Sequence, residues 1–361
     1  MKISIDISPV IYQTGVSWYT ASLVRELVKL SKSDEFILFG GSLRRKHELD
    51  QFVSSVGAEN VESKNYFIPP SLLSYLWNSL HIFHAEMFVG DVDVFHSSDW
   101  TQPPTKAYKV TTIHDLVQLR FPELSHPNIV STHKRRLKWV KKEVDKIIAV
   151  SEFTKQEIVE LLDIDSNKIV VIPEAPQEQY KPAKADEVNV IRKKYNLPNQ
   201  YLLAVGANPR KNLPNIVKAF NEVKKKNKDL SLLVIGQPWG EVPKSEDVIY
   251  LGHVPSEEMP ALYSAARSLV YTSLYEGFGL PILEAMASGC PVVTSNITSM
   301  PETAGDGAVL VNPSDSSEIT LGIENVLQDR NSWIKKGLAR AKQFSWKKTA
   351  QQTLEVYKQQ T

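Results

Sequence analysis

Two glutamates, Glu276 and Glu284, stand with seven residues between them in the run SLYEGFGLPILEAMASG at 273–289. Carboxylates accept hydrogen bonds from hydroxyls, so two of them at one end of a ligand suit a sugar. A cationic pair, Arg210 and Lys211, lies in the run GANPRKN at 206–212. The Arg fork and the Lys point charge together suit a diphosphate. A third group is His114 with Asp115, closing the β-branched run at 109–113, and His96 closes a shorter run at 93–95. Polar residues at the carboxyl ends of parallel strands sit where open α/β sheets bind ligands.

Other chemistries fit these residues less well. His114 beside Asp115 invites a nucleophile triad, but no G-x-S-x-G elbow occurs. Adjacent strand residues also point to opposite sides, so no direct pair is implied. None of the eight histidines falls in an H-E-x-x-H pattern. Asp91 and Asp93 form a D-V-D at a strand entrance, opposite the ligand edge, which argues against a metal site. The G-x-G-x-x-G fingerprint of dinucleotide dehydrogenases is absent at 11–18. Cys290 lies between Gly and Pro without a paired base and reads as structural.

The elements around these groups follow from the pattern. Residues 266–272 are apolar and read as a buried strand. Pro281 suits a first helical turn, and Gly289 a helix stop. Strand, glycine loop and helix N-terminus form a place where backbone N–H groups meet an anion. Glu284 is expected in the first helical turn and Glu276 at the loop mouth. The strand at 201–205, the loop at 206–212 and a helix over 213–225 repeat the arrangement. Plainer readings stand beside these. The helix dipole alone favours a Glu in a first turn. A glycine loop is often only a turn. The Arg–Lys pair reads equally as surface charge, and each His as a surface or capping residue.

The 361 residues suffice for two domains of ordinary size. Hydrophobic content of 42% and charged content of 23% fit a soluble globular chain. A formal net charge of +1 gives no global field toward nucleic acid, and none is expected as a partner. One cysteine excludes an internal disulfide, and a reducing compartment fits. The start, MKISIDISPV, lacks a signal-peptide core, and no window is apolar enough to span a membrane.

In chain order, residues 2–7 form a strand, followed by a loop with Gly15 and Ser17 and a helix to about Lys29. Strands follow at 35–39 and 61–67. Residues 69–89 have helical spacing with Trp77 inside. They read as a helix packed on the sheet, or as an apolar acceptor groove or membrane-resting face. Residues 132–142, THKRRLKWVKK, read as a basic helix. Its Arg135 and Arg136 either form a solvated face or contact acceptor phosphate or anionic lipid. Pro and charge become frequent at 176–198, which reads as a linker. The second half carries strands at 201–205, 232–236, 248–251, 291–294 and 308–311. Residues 315–348 read as helical, before a last helix.

The Glu276–Glu284 stretch, with Pro301 and Glu302 beyond it, resembles the signature of retaining glycosyltransferase family 4. The resemblance covers the whole chain, more closely in its second half. It implies a GT-B fold, with two Rossmann-like α/β domains facing across a deep cleft and a C-terminal helix crossing back to the first. The implied segments are a domain at 1–175, a linker at 176–198, a nucleotide-sugar domain at 199–342 and the returning helix at 343–361. Carried over, Glu276 contacts the donor sugar and Glu284 the ribose. Arg210 and Lys211 hold the diphosphate, with Gly15 and the backbone of Gly279 and Leu280. His253 and Val254 lie near the base, and Ser299 braces the loop. His114 lies by the donor sugar and the acceptor, supported by Asp115. Ser17, His96, Trp77, Arg135 and Arg136 are candidates for the acceptor side. Ser17 replaces a glycine common in relatives, and Ala207 an arginine that some carry.

No cofactor and no metal are implied. The R-K-N and YEGFGLP forms look most like mannosyltransferases using GDP-mannose to build surface polysaccharides. Their acceptors are glycans or polyprenyl-diphosphate-linked saccharides. The place would be the cytoplasm, with a peripheral inner-membrane contact. A UDP-sugar transferase and a nucleotide-sugar-binding module without turnover remain the alternatives.

Overall fold

A computed structural model describes residues 1–239, 242–243 and 245–360. They divide into two compact units, Met1–Glu174 with Trp346–Thr361, and Ala175–Ser345. Unit 1 is built on seven parallel strands: β1 (Lys2–Asp6), β2 (Glu35–Gly41), β3 (Val61–Tyr66), β4 (Val94–Ser97), β5 (Tyr108–Ile113), β6 (Lys146–Ala149) and β7 (Ile169–Val171). Their spatial order is β3-β2-β1-β4-β5-β6-β7. Runs such as FILF in β2 are buried on both faces, as a parallel sheet covered by helices requires. The order reverses between β1 and β4, so the loops leaving their carboxyl ends diverge there.

The helix Trp346–Tyr357 belongs to unit 1 and packs on the helix Gly15–Leu30. Trp346 meets Tyr19 edge-on at 5.6 Å. Tyr357 is fully buried, its hydroxyl 2.6 Å from His96 Nδ1. Thr349 Oγ1 donates to Pro173 O at 2.7 Å.

Unit 2 repeats the plan with β8 (Gln200–Val205), β9 (Leu230–Ile235), β10 (Val248–Gly252), β11 (Ser268–Tyr271), β12 (Val292–Ser295) and β13 (Val309–Val311). The order is β10-β9-β8-β11-β12-β13, again all parallel, with the reversal between β8 and β11. Phe220, Val223, Ile319 and Ile323 close its core against Leu232 and Val293.

Three segments differ from the expectation. Residues 69–89 do not form one helix. Pro70–Ser74 continues as a π turn over Tyr75–Leu80, stops at His81, and a short helix follows at Glu86–Val89. The wider turn brings the neighbours Trp77 and Asn78 inward together. Asn78 then bonds the backbone of Trp100 and Gln102. Residues 315–348 split into Ser316–Gln328 and Arg330–Ala341, because Asp329 caps the second helix through Ser332 N–H. Within 176–198, Ala185–Lys194 is a helix packed on Met259–Ala265, and Ala183 N–H donates to Ser264 Oγ. That stretch is therefore part of unit 2.

Candidate active site

The switch point of unit 2 gathers the charged residues. Beyond β8, Gly206 has φ +92°, and a tight turn over Pro209–Lys211 ends at Asn212. Asn212 is buried, and its Nδ2 donates to Thr272 O at 3.1 Å and Pro313 O at 2.7 Å. Leu274 N–H donates to Arg210 O at 2.8 Å. These bonds tie the loop after β8 to the loop after β11. Lys211 Nζ, so placed, donates to Glu276 Oε1 at 2.6 Å and also to the Tyr271 hydroxyl. Arg210 Nη2 lies 4.0 Å from Glu276 Oε2. Burial works against the charge on Glu276, but Lys211 and Arg210 outweigh it and bring its pKa down to about 2.

The backbone of this loop is pinned from behind. Ser295 Oγ donates to Ser273 O, Ser299 Oγ to Glu276 O and Thr303 Oγ1 to Phe278 O. Gly279, at φ +97°, opens the helix Leu280–Ala287. Pro281 carries no N–H. The N–H groups of Gly279 and Leu280 make no hydrogen bond among the described residues. Glu284 is the fifth residue of this helix, just beyond the first turn where it was expected, because the helix starts at Leu280, one residue before Pro281. Its Oε2 accepts from the Tyr263 hydroxyl at 3.1 Å, and Tyr180 packs on Tyr263. Burial and then the Glu284 charge push both tyrosines upward, so they stay protonated donors. His253 is exposed beyond β10, while Val254 is in the core.

Gly206 also makes room for Lys211. A Cβ there would lie 2.7 Å from Lys211 Cγ, at a φ that L residues rarely adopt. Gly206→Ala is therefore expected to displace Lys211 and to lower stability by roughly 1–3 kcal/mol. Thermal melts check it, and an unchanged midpoint would show that the lysine chain gives way without cost.

Unit 1 holds His114 and His96. His114 follows β5, its ring edge-on to Tyr19 at 4.6 Å, with Nδ1 2.7 Å from Glu174 Oε1. Burial lowers the His114 pKa, but the hydrogen bond and charge of Glu174 outweigh it and raise it above its ordinary value. Asp115 Oδ1 accepts from the N–H of Val117, the first residue of the next short helix, at 3.1 Å. Gly15 opens its helix behind a Thr14–Ser17 capping box, with nothing within 4 Å of where its Cβ would be.

Four acceptor-side candidates are structural in this geometry. His96 is buried between Tyr357 and Thr112, and burial first, then His114 and Arg136, brings its pKa to about 3, so it stays neutral. Trp77 is fully buried and donates to Phe83 O. Ser17 Oγ is consumed by Pro9 O. Arg136 is buried, bonded to Thr111 Oγ1 and 3.5 Å from Asp99. Arg135 alone of the five lines a cavity of about 800 Å³ at the switch point of unit 1. Asp6, Tyr12, Tyr75 and Trp100 line it too, with Ser and Thr hydroxyls, a mixture of aromatic faces and hydrogen-bonding groups that suits a saccharide. Among the described residues no group of three or more His, Cys, Asp or Glu is placed to hold a metal.

Glu174, Tyr271, Tyr263 and Asp6 were not found from sequence. Asp6 was discoverable, since it ends the first strand just as His114 follows the fifth. The other three act through contacts between residues at least 21 positions apart.

A doubly wound unit that brings a carboxylate, two cations and unengaged N–H groups to its switch point is built for an anionic ligand with hydroxyls. Comparison with known proteins places it. Residues 187–345 match the family model Glycosyl transferases group 1, and residues 13–175 match Glycosyltransferase Family 4. The O-antigen chain mannosyltransferase B of Escherichia coli is 32% identical, over 99% of this chain and 100% of that protein. The O-antigen chain mannosyltransferase RfbU of Salmonella typhimurium is 30% identical, over 62% of each chain. The sucrose-phosphate synthase of Thermosynechococcus elongatus has a TM-score of 0.73 at 19% identity, over 99% of this chain and 98% of that one. The chain belongs to glycosyltransferase family 4. It is a glycosyltransferase, and its two Rossmann-like units are those of the GT-B fold.

Proposed function

We propose that the protein is a retaining, metal-independent mannosyltransferase of surface-polysaccharide synthesis. It moves mannose from GDP-mannose to a hydroxyl of a glycan or polyprenyl-diphosphate-linked saccharide. The cluster of Glu276, Lys211 and Arg210 beside the N–H groups of Gly279 and Leu280 carries the reading. The choice of mannose follows the names of the relatives. In the reaction the anomeric C–O bond breaks and its electron pair leaves with GDP. The acceptor oxygen bonds to the same face, and its proton passes to the departing diphosphate. Arg210, Lys211 and the helix N–H groups stabilise that developing charge. Glu276 holds sugar hydroxyls, Glu284 the ribose, and His114 serves the transferred sugar. The cavity of unit 1 takes the acceptor saccharide. No helix among the described residues is long and apolar enough to cross a membrane. The enzyme works at the cytoplasmic face of the inner membrane through a peripheral contact.

A thermal-shift panel of UDP, GDP, ADP and CDP is expected to give its largest rise with GDP. A larger rise with UDP would move the reading to a UDP-sugar transferase. Turnover, followed as released GDP, is expected to survive EDTA, since cations and N–H groups of the chain meet the diphosphate charge. Complete loss that Mg²⁺ or Mn²⁺ restores would overturn that charge account.

A further inference from the structure

The loop after β4 presents a carboxylate at the switch point of unit 1. β4 ends at Ser97, and Ser98, Asp99, Trp100 and Thr101 follow. The loop is held from two sides. Thr101 Oγ1 donates to Asp6 Oδ2 at 3.1 Å, and Asn78 Nδ2 donates to Trp100 O at 2.8 Å. Arg136 anchors the carboxylate itself. It is 1% exposed, with Nη1 3.5 Å from Asp99 Oδ1 and Nη2 2.6 Å from Thr111 Oγ1. The Asp99 side chain is only 14% exposed, so this buried guanidinium offsets a charge that has little water around it.

Asp6, Ser98, Asp99 and His114 line a pocket of about 20 Å³, room for one hydroxyl-sized group. Asp6 and Ser98 also line the larger cavity, so the two spaces adjoin. The neighbouring polar groups are engaged. Asp6 accepts from Ser8 N–H at 2.9 Å and from Thr101. Ser98 Oγ and Thr101 Oγ1 are hydrogen-bonded at 3.2 Å, and His96 lies between Tyr357 and Thr112. Asp99 differs. It has its ion pair with Arg136 and no hydrogen bond among the described residues, although a carboxylate offers about four acceptor positions. Acceptor capacity left unmet at a buried anion is costly until a donor arrives. Asp99 also stands close to the site histidine. Burial lowers the His114 pKa, Glu174 raises it, and the Asp99 charge raises it further.

We propose that Asp99 binds one hydroxyl of the acceptor's terminal sugar and thereby selects which hydroxyl attacks. The sugar ring rests in the larger cavity, where Trp100, next in the chain and 37% exposed, offers an aromatic face. One hydroxyl of that ring enters the small pocket and donates to Asp99. With it fixed, a neighbouring hydroxyl is the one turned toward His114. Asp99 takes up no proton, because the proton of the attacking oxygen leaves with the diphosphate. The inference rests on the cavity of unit 1 being the acceptor site, and adds to that reading the residue that sets the linkage.

Transfer from GDP-mannose and from UDP-glucose to the methyl glycosides of mannose, glucose and galactose tests it, followed by the monodeoxy forms of the best acceptor. Deoxygenation at the attacking position abolishes transfer. At one further position it is expected to lower kcat/KM by about ten- to a hundredfold, and elsewhere little. Asp99→Asn is expected to cost the parent glycoside a similar factor and that deoxy form little more, because both changes remove the same bond. Asp99→Glu keeps a charge for Arg136 and gives a second variant, with the carboxylate displaced by one methylene. NMR of the product is expected to show one linkage from the native protein and mixed linkages from both variants. Melting curves and GDP titration on the same preparations confirm folding, with GDP affinity unchanged. Additive losses, or a single linkage from every variant, overturn the proposal. An equal fall in GDP-mannose hydrolysis without acceptor also overturns it, since that would put Asp99 on the transferred sugar. So does transfer to none of the three glycosides, because the site would then recognise no neutral terminal sugar. Transfer from UDP-glucose alone, with the deoxy pattern intact, leaves Asp99 standing and sinks the mannosyltransferase reading. Transfer from GDP-mannose in which Asp99→Asn leaves the deoxy pattern intact does the reverse.

Discussion

Glu276→Gln is expected to lower kcat by about ten- to a hundredfold while leaving GDP affinity unchanged or tighter. A charge-assisted hydrogen bond contributes roughly 1.5–3 kcal/mol, which sets that range if the contact to the sugar strengthens as the glycosidic bond breaks. The affinity half follows from the geometry. Glu276 faces Lys211 at 2.6 Å and Arg210 at 4.0 Å. Removing its charge leaves both cations freer for a diphosphate, and the Gln oxygen still accepts from Lys211. Glu284→Gln is expected to act the other way, raising the donor KM with a smaller effect at saturation, since its partners are neutral tyrosines. Stability carries a separate signature. The folded pKa of Glu276, about 2, lies below its ordinary 4.5. Its contribution is therefore full above 4.5 and lost as pH falls toward 2. Acid melts should show that loss in the native protein and not in the variant. Initial rates and GDP titrations decide the rest. Weaker GDP binding in Glu276→Gln than in Glu284→Gln, with normal turnover at saturation, would remove these roles.

What could be read from sequence follows the physics of parallel sheets. Strands such as 201–205 and 109–113 are short apolar runs, and the loops after them carry the polar residues that the sequence singles out. The structure brings Arg210 and Lys211 to Glu276, with Glu284 in the helix that follows, and all four lie in unit 2. Their depth was harder to read. Glu284 looked like a first-turn residue because Pro281 suggested the start, and only the φ of Gly279 shows where the helix begins. Polar residues that serve the core misled the reading. His96 ends an apolar run, yet its register opposite Ile5 and Val110 puts it in the middle of the sheet. Trp77 lay at helical spacing, but no periodicity announces a π turn. Ser17 looked like a glycine substitute until its hydroxyl was seen bonded to Pro9 O. Glu174 follows a proline at the edge of the first unit, and nothing local ties it to a histidine 60 residues earlier.

That pair supports the other large effect. Glu174→Gln is expected to lower kcat by roughly ten- to a hundredfold with little change in GDP affinity, because it acts on the proposed role of His114 and not on the nucleotide. The carboxylate 2.7 Å from Nδ1 fixes the ring and favours its charged form, as an acid behind a catalytic histidine does. An amide keeps a hydrogen bond but loses the charge, so the His114 pKa must fall. The pH–rate limb that reports His114 should then move to lower pH, and so should its imidazole resonance in an NMR titration. The folded pKa is raised above the ordinary 6.5. Stability from the pair is thus full below 6.5 and lost as pH rises through the folded value. The variant should be less stable than the native protein by about 1–3 kcal/mol on the acid side of that window, with the gap closing on the alkaline side. A structural role for Glu174 predicts the stability change alone, with an unmoved pH–rate limb. His114→Ala separates the two readings further. In that background Glu174→Gln should cost no additional turnover, because the carboxylate has lost the ring through which it acts. Additive losses in the double variant would show that Glu174 works by some other route.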